Sequence, residues 1–355
     1  MVTQEKLRIL FILPKPEDPK LIAGLVAKFP NLEPTYICTG TQYGVGDPGK
    51  EVYKDVNILV TLTALPPTLE DAPALTHIHF VSSGTNQIVN HPIYTSSNIP
   101  LTTSRGVAGP PIAEWVIMTA LVHNHRYNNI RDLQLKSQWG TQADFWSAND
   151  VVGQRIGILG YGGIGRHVGR VAKAMGMEVY AFTSSPKTTA EQRRDNGYVV
   201  PNTGDPDGTI PSKWFHGLDK ASLHEFLNQD LDNLVLALPL TSQTAGLLST
   251  EEFDILSKKK TFVSNISRGQ VIDQPALIAA LEEGKIRGAA LDVTDPEPLP
   301  EDHPLWKAPN VIISPHISGL ISTYVERTFD VLAQNLERKF AGRELLNVVN
   351  RDTGY

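Results

Sequence analysis

Three charged side chains in the second half of the chain have the types that acid–base chemistry on an anionic ligand requires. Arg268, Glu297 and His316 each follow a short apolar run that the sequence predicts to be a buried strand. In open α/β sheets, ligands bind just past the carboxyl ends of parallel strands. At that edge an arginine can bind a carboxylate, a histidine can exchange a proton, and a glutamate can orient the histidine.

Each of the three residues also has a purely structural interpretation. Arg268 could form a surface ion pair, Glu297 could be a solvated loop acid, and His316 could cap a helix or pack within a loop. Residue type alone leaves both interpretations open.

A glycine-rich turn lies upstream of these residues. The segment Gly160-Tyr161-Gly162-Gly163-Ile164-Gly165 contains G-x-G-x-x-G, after a predicted strand and before an apolar helical stripe. In a dinucleotide site such glycines serve the tight turn, the approach of the pyrophosphate and the packing of the helix, whose N–H groups stabilise the phosphates. A turn without a ligand is the alternative, but the flanking strand and helix favour a dinucleotide site.

The next predicted strand bears on which dinucleotide binds. About twenty residues after the glycines, an NAD site usually carries an Asp or Glu that binds the adenosine ribose. Here the strand ends in Thr183-Ser184-Ser185-Pro186-Lys187, without a carboxylate. Hydroxyls and a cation suit a 2′-phosphate, so NADP(H) is favoured and NAD(H) stays an alternative. The alternative interpretation is that these are loop and helix-capping residues, with the Lys187 side chain in solvent, and that they bind no ligand.

Hydrophobic periodicity predicts the elements that must position these residues. Short β-branched runs alternate with helix-length segments in two series, which predicts two doubly wound domains with parallel sheets. A helix from about Pro111 to Leu135 is predicted to connect the domains, and an amphipathic helix from Ile321 to Phe340 to return to the N-terminal one. Val199 to Gly217 is predicted to be a long loop that partly packs down. The predicted strands cover residues 7–13, 35–39, 57–62, 78–82 and 99–103, then 155–159, 178–183, 233–238, 261–265, 287–291 and 311–314.

Length, charge and cysteine content narrow the class of protein. The 355 residues suffice for two domains, and 20% charged against 41% hydrophobic residues is the balance of a globular protein. The net charge is −6 and the basic run Lys258-Lys259-Lys260 is short, which disfavours nucleic acid. The single cysteine, Cys38, fits a reducing compartment, so we expect the cytoplasm. The apolar run Ile9 to Leu13 is too short to span a membrane, and no membrane role is expected.

No metal site is predicted. His77 and His79 alternate on a strand and share one side of it, but two histidines are more often structural than a metal pair. The acidic segment from Asp295 to His303 contains three prolines and is better explained as an exposed, extended loop.

The order of these motifs resembles the D-isomer-specific 2-hydroxyacid dehydrogenase family, from about Ser82 to Gly319. The resemblance implies that Arg268, Glu297 and His316 are the family's catalytic arginine, glutamate and histidine. It also implies that Ser83 and Gly84 bind the substrate carboxylate through their backbone. The cofactor-binding residues would be Gly160, Gly162, Gly163, Ile164, Gly165, Thr183, Ser184, Ser185, Lys187, Leu238, Pro239, Thr244, Ile266, Ser267, Asp292 and Gly319.

The same resemblance implies a fold and an activity. The expected fold is a Rossmann-type cofactor domain at residues 105–317, inserted into a flavodoxin-like substrate domain at residues 1–104 and 318–355. The expected activity is hydride transfer between NADP(H) and a small 2-oxo or D-2-hydroxy acid, with glyoxylate and hydroxypyruvate the leading candidates. A homodimer assembled through the cofactor domain is also expected. The alternative is a dinucleotide-sensing binding protein like the family's corepressors, with little turnover.

Overall fold

The computed structural model describes residues 6–40 and 48–351 and divides the chain into two compact units. The first unit contains the described residues up to Val107, then Asn196–Tyr198, and the chain from Ser322 onward. The second contains Ala108–Asp195 and Val199–Ile321.

Both units are built from parallel strands and helices that alternate along the chain. The strands are β1 (Leu7–Leu13), β2 (Leu32–Cys38), β3 (Ile58–Thr61), β4 (His77–Phe80), β5 (Leu101–Thr103), β6 (Arg155–Leu159), β7 (Glu178–Thr183), β8 (Lys213–His216), β9 (Asn233–Leu236), β10 (Phe262–Asn265), β11 (Gly288–Leu291) and β12 (Val311–Ile313). The α-helices are α1 (Pro19–Lys28), α2 (Pro92–Ser96), α3 (Gly109–Asn124), α4 (Tyr127–Leu135), α5 (Gly163–Ala174), α6 (Ala190–Arg193), α7 (Lys220–Leu227), α8 (Thr250–Ser257), α9 (Gln274–Glu282) and α10 (Tyr324–Phe340).

The sheet of the first unit has the strand order β2-β1-β3-β4-β5, and every pairing is parallel. This is the flavodoxin-like order. Helix α10 covers one face of the sheet, where Phe329, Leu332 and Leu336 join the core that surrounds β1. The rings of Phe11 and Phe329 stack with their centroids 5.4 Å apart. The amphipathic C-terminal helix therefore completes the core of the N-terminal unit.

His77 and His79 lie on the interior strand β4 and are completely buried. His77 Nε2 and His79 Nδ1 lie 2.8 and 2.9 Å from the same Thr102 hydroxyl. Burial lowers the pKa of each imidazole to about 3. Both histidines are therefore neutral core residues within a buried hydrogen-bond network.

The sheet of the second unit has the order β12-β11-β10-β9-β6-β7-β8, again entirely parallel. Counted from β6, this is the Rossmann order with one further strand, and the order reverses between β6 and β9. The prediction of two parallel α/β domains is confirmed. In such sheets the reversal point is where ligands bind.

Two predicted elements were wrong. The stretch from Pro111 to Leu135 is two helices, because Arg126 adopts a left-handed backbone (φ 55°) between α3 and α4. Val199 to Gly217 is not entirely loop, since Lys213–His216 forms the edge strand β8 beside β7. Only four residues long, β8 is half apolar and lies among prolines and glycines, so its periodicity was too weak to predict a strand.

The rest of that segment packs on the start of helix α5. The carboxylate of Asp205, which is buried, accepts a hydrogen bond from the Tyr161 hydroxyl at 2.9 Å and another from the Thr209 N–H at 3.0 Å. His167 Nε2 lies 2.8 Å from the Thr203 hydroxyl. The segment is thereby fixed against the element that carries the glycine turn.

None of the helices in residues 6–40 and 48–351 has the length and hydrophobicity that a membrane-spanning helix requires.

Candidate active site

The glycine turn lies at the reversal point of the second sheet, between β6 and α5. Gly160 has φ +102°, and a Cβ there would lie 2.5 Å from the carbonyl oxygen of Ala237, the residue after β9. By contrast, a Cβ at Gly162 or Gly163 would meet nothing within 4 Å. The turn is thus tightly packed at Gly160 and open at Gly162 and Gly163, where a twelve-residue helix begins. That geometry fits a dinucleotide pyrophosphate.

The residues after β7 lie at the same edge of the sheet. The Thr183 hydroxyl donates to the Ser185 carbonyl at 2.8 Å, within the turn itself. Ser184 and Ser185 are exposed, and the Lys187 side chain is partly exposed. Arg193 Nε donates to the Lys187 carbonyl at 2.8 Å, which fixes the backbone of this turn. Ser184, Ser185 and Lys187 are therefore accessible to a ligand, whereas Thr183 mainly shapes the turn.

The segment after β9 forms a second wall at the reversal point. Leu238 packs partly against the core, while Pro239 is exposed. Thr244 closes the turn, because its hydroxyl donates to the Pro239 carbonyl at 2.7 Å. These three residues, which the resemblance implies are cofactor-binding, therefore belong to one compact loop.

Arg268 is held on a loop that the buried side chain of Asn265 organises. Asn265 Oδ1 accepts from the Ser267 N–H at 3.0 Å and from its hydroxyl at 2.7 Å. Asn265 Nδ2 donates to the Arg268 carbonyl at 3.0 Å. Ile266 and Ser267 are buried within this turn, while the Arg268 side chain is partly exposed. An asparagine followed two residues later by serine is a turn signal, so the sequence could have revealed this role of Asn265.

The Arg268 loop and the loop that carries Glu297 are in close contact. Gly269 leaves no room for a side chain, because a Cβ there would collide with the Thr294 backbone. Gln270 Nε2, one residue further, donates to Asp295 Oδ1 at 2.9 Å. The buried Gln274 on α9 accepts from the Asp295 N–H at 3.2 Å. These contacts fix the start of the Glu297 loop against the Arg268 loop.

Asp292 anchors the loop that carries His316. Its buried carboxylate accepts from the Ser314 hydroxyl at 2.6 Å and from the Ile317 and Ser318 N–H groups at 2.9 and 3.0 Å. The Ser318 hydroxyl also donates to it, and the Asp292 carbonyl accepts from the His316 N–H at 2.9 Å. The family resemblance implies that Asp292 contacts the cofactor, but this hydrogen-bond network, whose members lie 22 to 26 residues from Asp292, was not predicted.

His316 and Glu297 form a hydrogen-bonded pair at the carboxyl edge. His316 Nδ1 lies 2.6 Å from Glu297 Oε1, and the side chains are 49% and 39% exposed. The backbone of His316 is left-handed (φ 55°), which is uncommon outside glycine and is maintained here by the Asp292 hydrogen bonds. With Nδ1 on the carboxylate, Nε2 is the ring nitrogen left to exchange a proton with a ligand.

Two further predicted positions are placed by their loops. Gly319, after the His316 loop, lies close to the Cβ of Ala108 at the start of α3, so a side chain would be tight there. Ser83 and Gly84 belong to the first unit and follow β4, with the Gly84 carbonyl accepting from the Ser82 hydroxyl at 2.7 Å. Ser83 is exposed and its neighbour is partly exposed.

One other cluster of metal-binding residue types occurs in the described part of the chain. His224, Glu251 and Glu252 offer ligand atoms within 4.8 Å of one another. Lys220 Nζ lies 2.5 Å from Glu251 Oε2 and 3.7 Å from Glu252 Oε1, so an ammonium group already pairs with both carboxylates. The cluster is therefore best described as an ion-pair network between α7 and α8.

Known proteins resemble this chain over most of its length. The family model of the D-isomer specific 2-hydroxyacid dehydrogenase NAD binding domain matches residues 117–203 and 205–318. A hydroxypyruvate reductase from Blautia hydrogenotrophica is 29% identical over 303 residues, which cover 84% of this chain and 86% of the relative. A glyoxylate reductase from Korarchaeum cryptofilum is 30% identical over 311 residues, which cover 85% of each chain.

A solved structure agrees over the whole chain. The crystal structure of a D-isomer specific 2-hydroxyacid dehydrogenase from Xanthobacter autotrophicus Py2, in complex with NADPH and MES, is 25% identical in sequence with a TM-score of 0.75. The match covers 99% of this chain and 100% of that one. Because the family model covers more than half of the residues and the relatives match most of the length, this chain belongs to the D-isomer specific 2-hydroxyacid dehydrogenase family.

Proposed function

We propose that the protein is an NADPH-dependent reductase of small 2-oxo acids. The observation that carries the proposal is the hydrogen bond between His316 and Glu297 at the carboxyl edge of the second sheet, next to the loop that presents Arg268. Reduction of a 2-oxo acid requires a proton donor for the carbonyl oxygen, a carboxylate that orients this donor, and a guanidinium close to both.

Each of the three side chains has a defined task. Glu297 orients the imidazole, because its carboxylate Oε1 lies 2.6 Å from His316 Nδ1 and fixes the direction of the ring. His316 Nε2 donates the proton to the substrate oxygen, and in the oxidative direction the neutral ring accepts it. Arg268 binds the substrate carboxylate and stabilises the negative charge that develops on the oxygen. The hydride would come from the nicotinamide of NADPH once the second unit has bound it.

The second unit has the features that NADP(H) requires. The open backbone at Gly162 and Gly163 and the N-terminus of α5 fit the pyrophosphate. The turn after β7 has accessible hydroxyls and Lys187 where an NAD site would have a carboxylate. The relative from Xanthobacter autotrophicus contains NADPH. We therefore propose NADP(H) as the preferred cofactor, contacted by the glycine turn, the Thr183–Lys187 turn, the Leu238–Thr244 loop and Ser267, with NAD(H) the poorer one.

The remaining site assignments extend the proposal to the substrate. Ser83 and Gly84 are accessible after β4 and present backbone N–H groups suited to a carboxylate. The first unit is accordingly proposed to bind substrate, and the second to bind cofactor. The relatives are named hydroxypyruvate reductase and glyoxylate reductase, so these two 2-oxo acids are the proposed substrates.

We also propose that the protein is a homodimer assembled through the second unit. Helix α4 has no buried residue among its nine, and Trp139 and Trp146 nearby are 99% and 83% exposed. Large exposed apolar side chains concentrated on one segment are typical of a protein interface.

A cytoplasmic location is proposed from the single cysteine, Cys38, because a reducing compartment disfavours disulfides.

The decisive experiment is a steady-state comparison of NADPH and NADH with glyoxylate, hydroxypyruvate and bulkier 2-oxo acids. The expected result is turnover with NADPH, a higher kcat/KM than with NADH, and formation of the D-hydroxy acid. Tight NADPH binding without turnover on any 2-oxo acid would refute the reductase proposal and indicate a sensing role. A preference for NADH would refute the role proposed for the turn after β7.

A further inference from the structure

The edge strand β8 lies beside β7, the strand whose carboxyl end bears on the choice of dinucleotide. The two strands are parallel, and Thr183 at the end of β7 is the register partner of His216 at the end of β8. The Gly217 N–H donates to the Thr183 carbonyl at 3.1 Å, which fixes this register where the strands end. Since neighbouring strands are about 4.8 Å apart, His216 directly adjoins the position where an NAD site would carry its carboxylate.

His216 and Thr183 lie on the same side of the sheet. Trp214 contacts Tyr161 of the glycine turn, with the ring centroids 5.2 Å apart. Side chains alternate along a strand, so His216, two residues later, is on the side of Trp214. Register partners in a parallel pair project to one side, so Thr183 is there as well. Both side chains are therefore on the side of the sheet where the glycine turn packs.

The guanidinium of Arg193, from α6, is held next to these residues. Its Nε donates to the Lys187 carbonyl at 2.8 Å, and its central carbon lies 5.7 Å from the centroid of the Trp214 ring. The backbone is fixed as well, because the Arg193 carbonyl accepts from Arg166 Nη2 at 2.5 Å. A Cβ at Gly208 would lie 2.4 Å from the same carbonyl oxygen. The segment that follows α6 thus holds Arg193 against the turn after β7.

Arg193 differs from the neighbouring arginines in having no acidic partner. Arg166 Nε lies 3.7 Å from Asp195 Oδ2, and Arg194 Nε lies 3.8 Å from Asp207 Oδ1. Arg193 is partly exposed, forms no ion pair with any described residue, and donates a hydrogen bond through Nε alone. Its two terminal nitrogens are therefore available to an anion, in the fork geometry that a phosphate accepts.

Two further donors adjoin Arg193 without a partner of their own. In the part of the chain that the structure describes, the Lys187 ammonium group and the exposed His216 imidazole form neither a hydrogen bond nor an ion pair. The acid nearest to His216 along the chain, Asp219, is already occupied, since its carboxylate accepts from the Ser222 N–H and hydroxyl, both at 2.9 Å. The end of β7 is thus bordered by donors and positive charge.

We propose that Arg193 and His216, together with Lys187, bind the 2′-phosphate of NADP(H). The proposal rests on the proposed cofactor and names the residues that select it. The guanidinium offers a phosphate two parallel hydrogen bonds, and an imidazole N–H donates to a phosphate oxygen in either protonation state. NAD(H) has a ribose hydroxyl in place of the phosphate and gains little from these groups. The segment from residue 199 to 217 thereby acquires a function, because it supplies His216 and packs against Arg193.

The test compares two nucleotides that differ only in the 2′-phosphate, 2′,5′-ADP and 5′-AMP. Isothermal titration calorimetry at constant ionic strength gives the Kd of each for the natural protein and for Arg193→Gln, His216→Ala and Arg194→Gln. The last is the matched control, because it removes the adjacent guanidinium, which is exposed and already paired with Asp207. Binding of 5′-AMP reports whether a variant retains the rest of the adenosine site. Because His216 is exposed, His216→Ala tests the proposal even if Arg193→Gln does not fold.

The natural protein is expected to bind 2′,5′-ADP more tightly than 5′-AMP. Arg193→Gln should weaken binding of 2′,5′-ADP about tenfold or more and His216→Ala about fivefold, the ratios that follow from losing a bidentate pair and a single charge-assisted hydrogen bond. Binding of 5′-AMP, and both affinities of Arg194→Gln, should not change. Equal weakening of both nucleotides, or an undiminished preference for 2′,5′-ADP, would overturn the role of the residue replaced and leave the cofactor assignment intact. Equal binding of both nucleotides by the natural protein would instead overturn the proposed NADP(H) preference, and this proposal with it.

Discussion

Replacing Asp292 by asparagine should loosen the loop that carries His316. The carboxylate of Asp292 is buried and accepts four hydrogen bonds, from the Ser314 and Ser318 hydroxyls and from the Ile317 and Ser318 N–H groups. The amide is the same size but has one acceptor oxygen instead of two and carries no charge. The substitution therefore tests the hydrogen bonds without creating a cavity.

The size of the effect follows from which donors lose their acceptor. If the amide oxygen takes the place of Oδ1, the Ser318 N–H loses its partner, which costs about 1–3 kcal/mol, and the bonds that remain lose their charge assistance. A total of about 3 kcal/mol is expected, or roughly 6–12 °C in Tm for a unit of this size. A displacement of His316 by about 1 Å can lower kcat by about 10²-fold.

The assays are thermal unfolding monitored by circular dichroism, steady-state kinetics, and NADPH affinity measured by fluorescence. Ser318→Ala is the matched control, because it removes a single donor and leaves the carboxylate with three; it should lower the free energy of unfolding by only about 1 kcal/mol. An unchanged Tm in Asp292→Asn together with weakened NADPH binding would refute the anchoring role and assign the carboxylate to the cofactor.

Three further outcomes are expected. His316→Asn, which tolerates the left-handed backbone of that position, should lower kcat by about 10²- to 10⁴-fold with NADPH affinity retained; an unchanged kcat would remove His316 from the mechanism. Arg268→Lys should lower kcat/KM for 2-oxo acids at least about tenfold, because a point charge cannot bind a carboxylate through two parallel hydrogen bonds, and an unaffected value would make Arg268 peripheral. Burial lowers the pKa of His77 and His79 to about 3 from 6.5, so below pH 6.5 the unfolded chain takes up protons that the folded protein does not. The free energy of unfolding should therefore fall by about 4 kcal/mol between pH 8 and pH 5, and urea titrations showing no such decrease would contradict the neutrality of these rings.

Local sequence patterns predicted most of the fold. The apolar runs before Gly160 and Arg268 are buried strands, because a parallel sheet covered on both faces requires continuous hydrophobic segments. The run before His316 is the half-buried edge strand β12. The order of the motifs then indicated that Glu297 and His316 belong to one site, and the two side chains are in direct contact.

What the sequence did not predict depends on residues far apart in the chain or on weak local signals. Asp292 interacts with Ser314 and Ser318 across a stretch that has no α-helix and whose path no periodicity reveals. The break at Arg126 needs a backbone conformation that residue type hardly encodes, and the four residues of β8 are too few for a periodic pattern. The proximity of Thr183 and His216 became visible only once β8 was placed beside β7.

The position of helix α10 in the core of the first unit imposes an order on folding during synthesis. The strand that begins at Leu7 leaves the ribosome first, yet Ile9 and Phe11 are covered by Phe329 and Leu336, which are translated more than three hundred residues later. All strands of the second sheet precede that helix, so this sheet can form while the first still exposes an apolar face. The nascent protein therefore presents a binding surface for chaperones until translation is almost complete, and premature termination before α10 yields an aggregation-prone product.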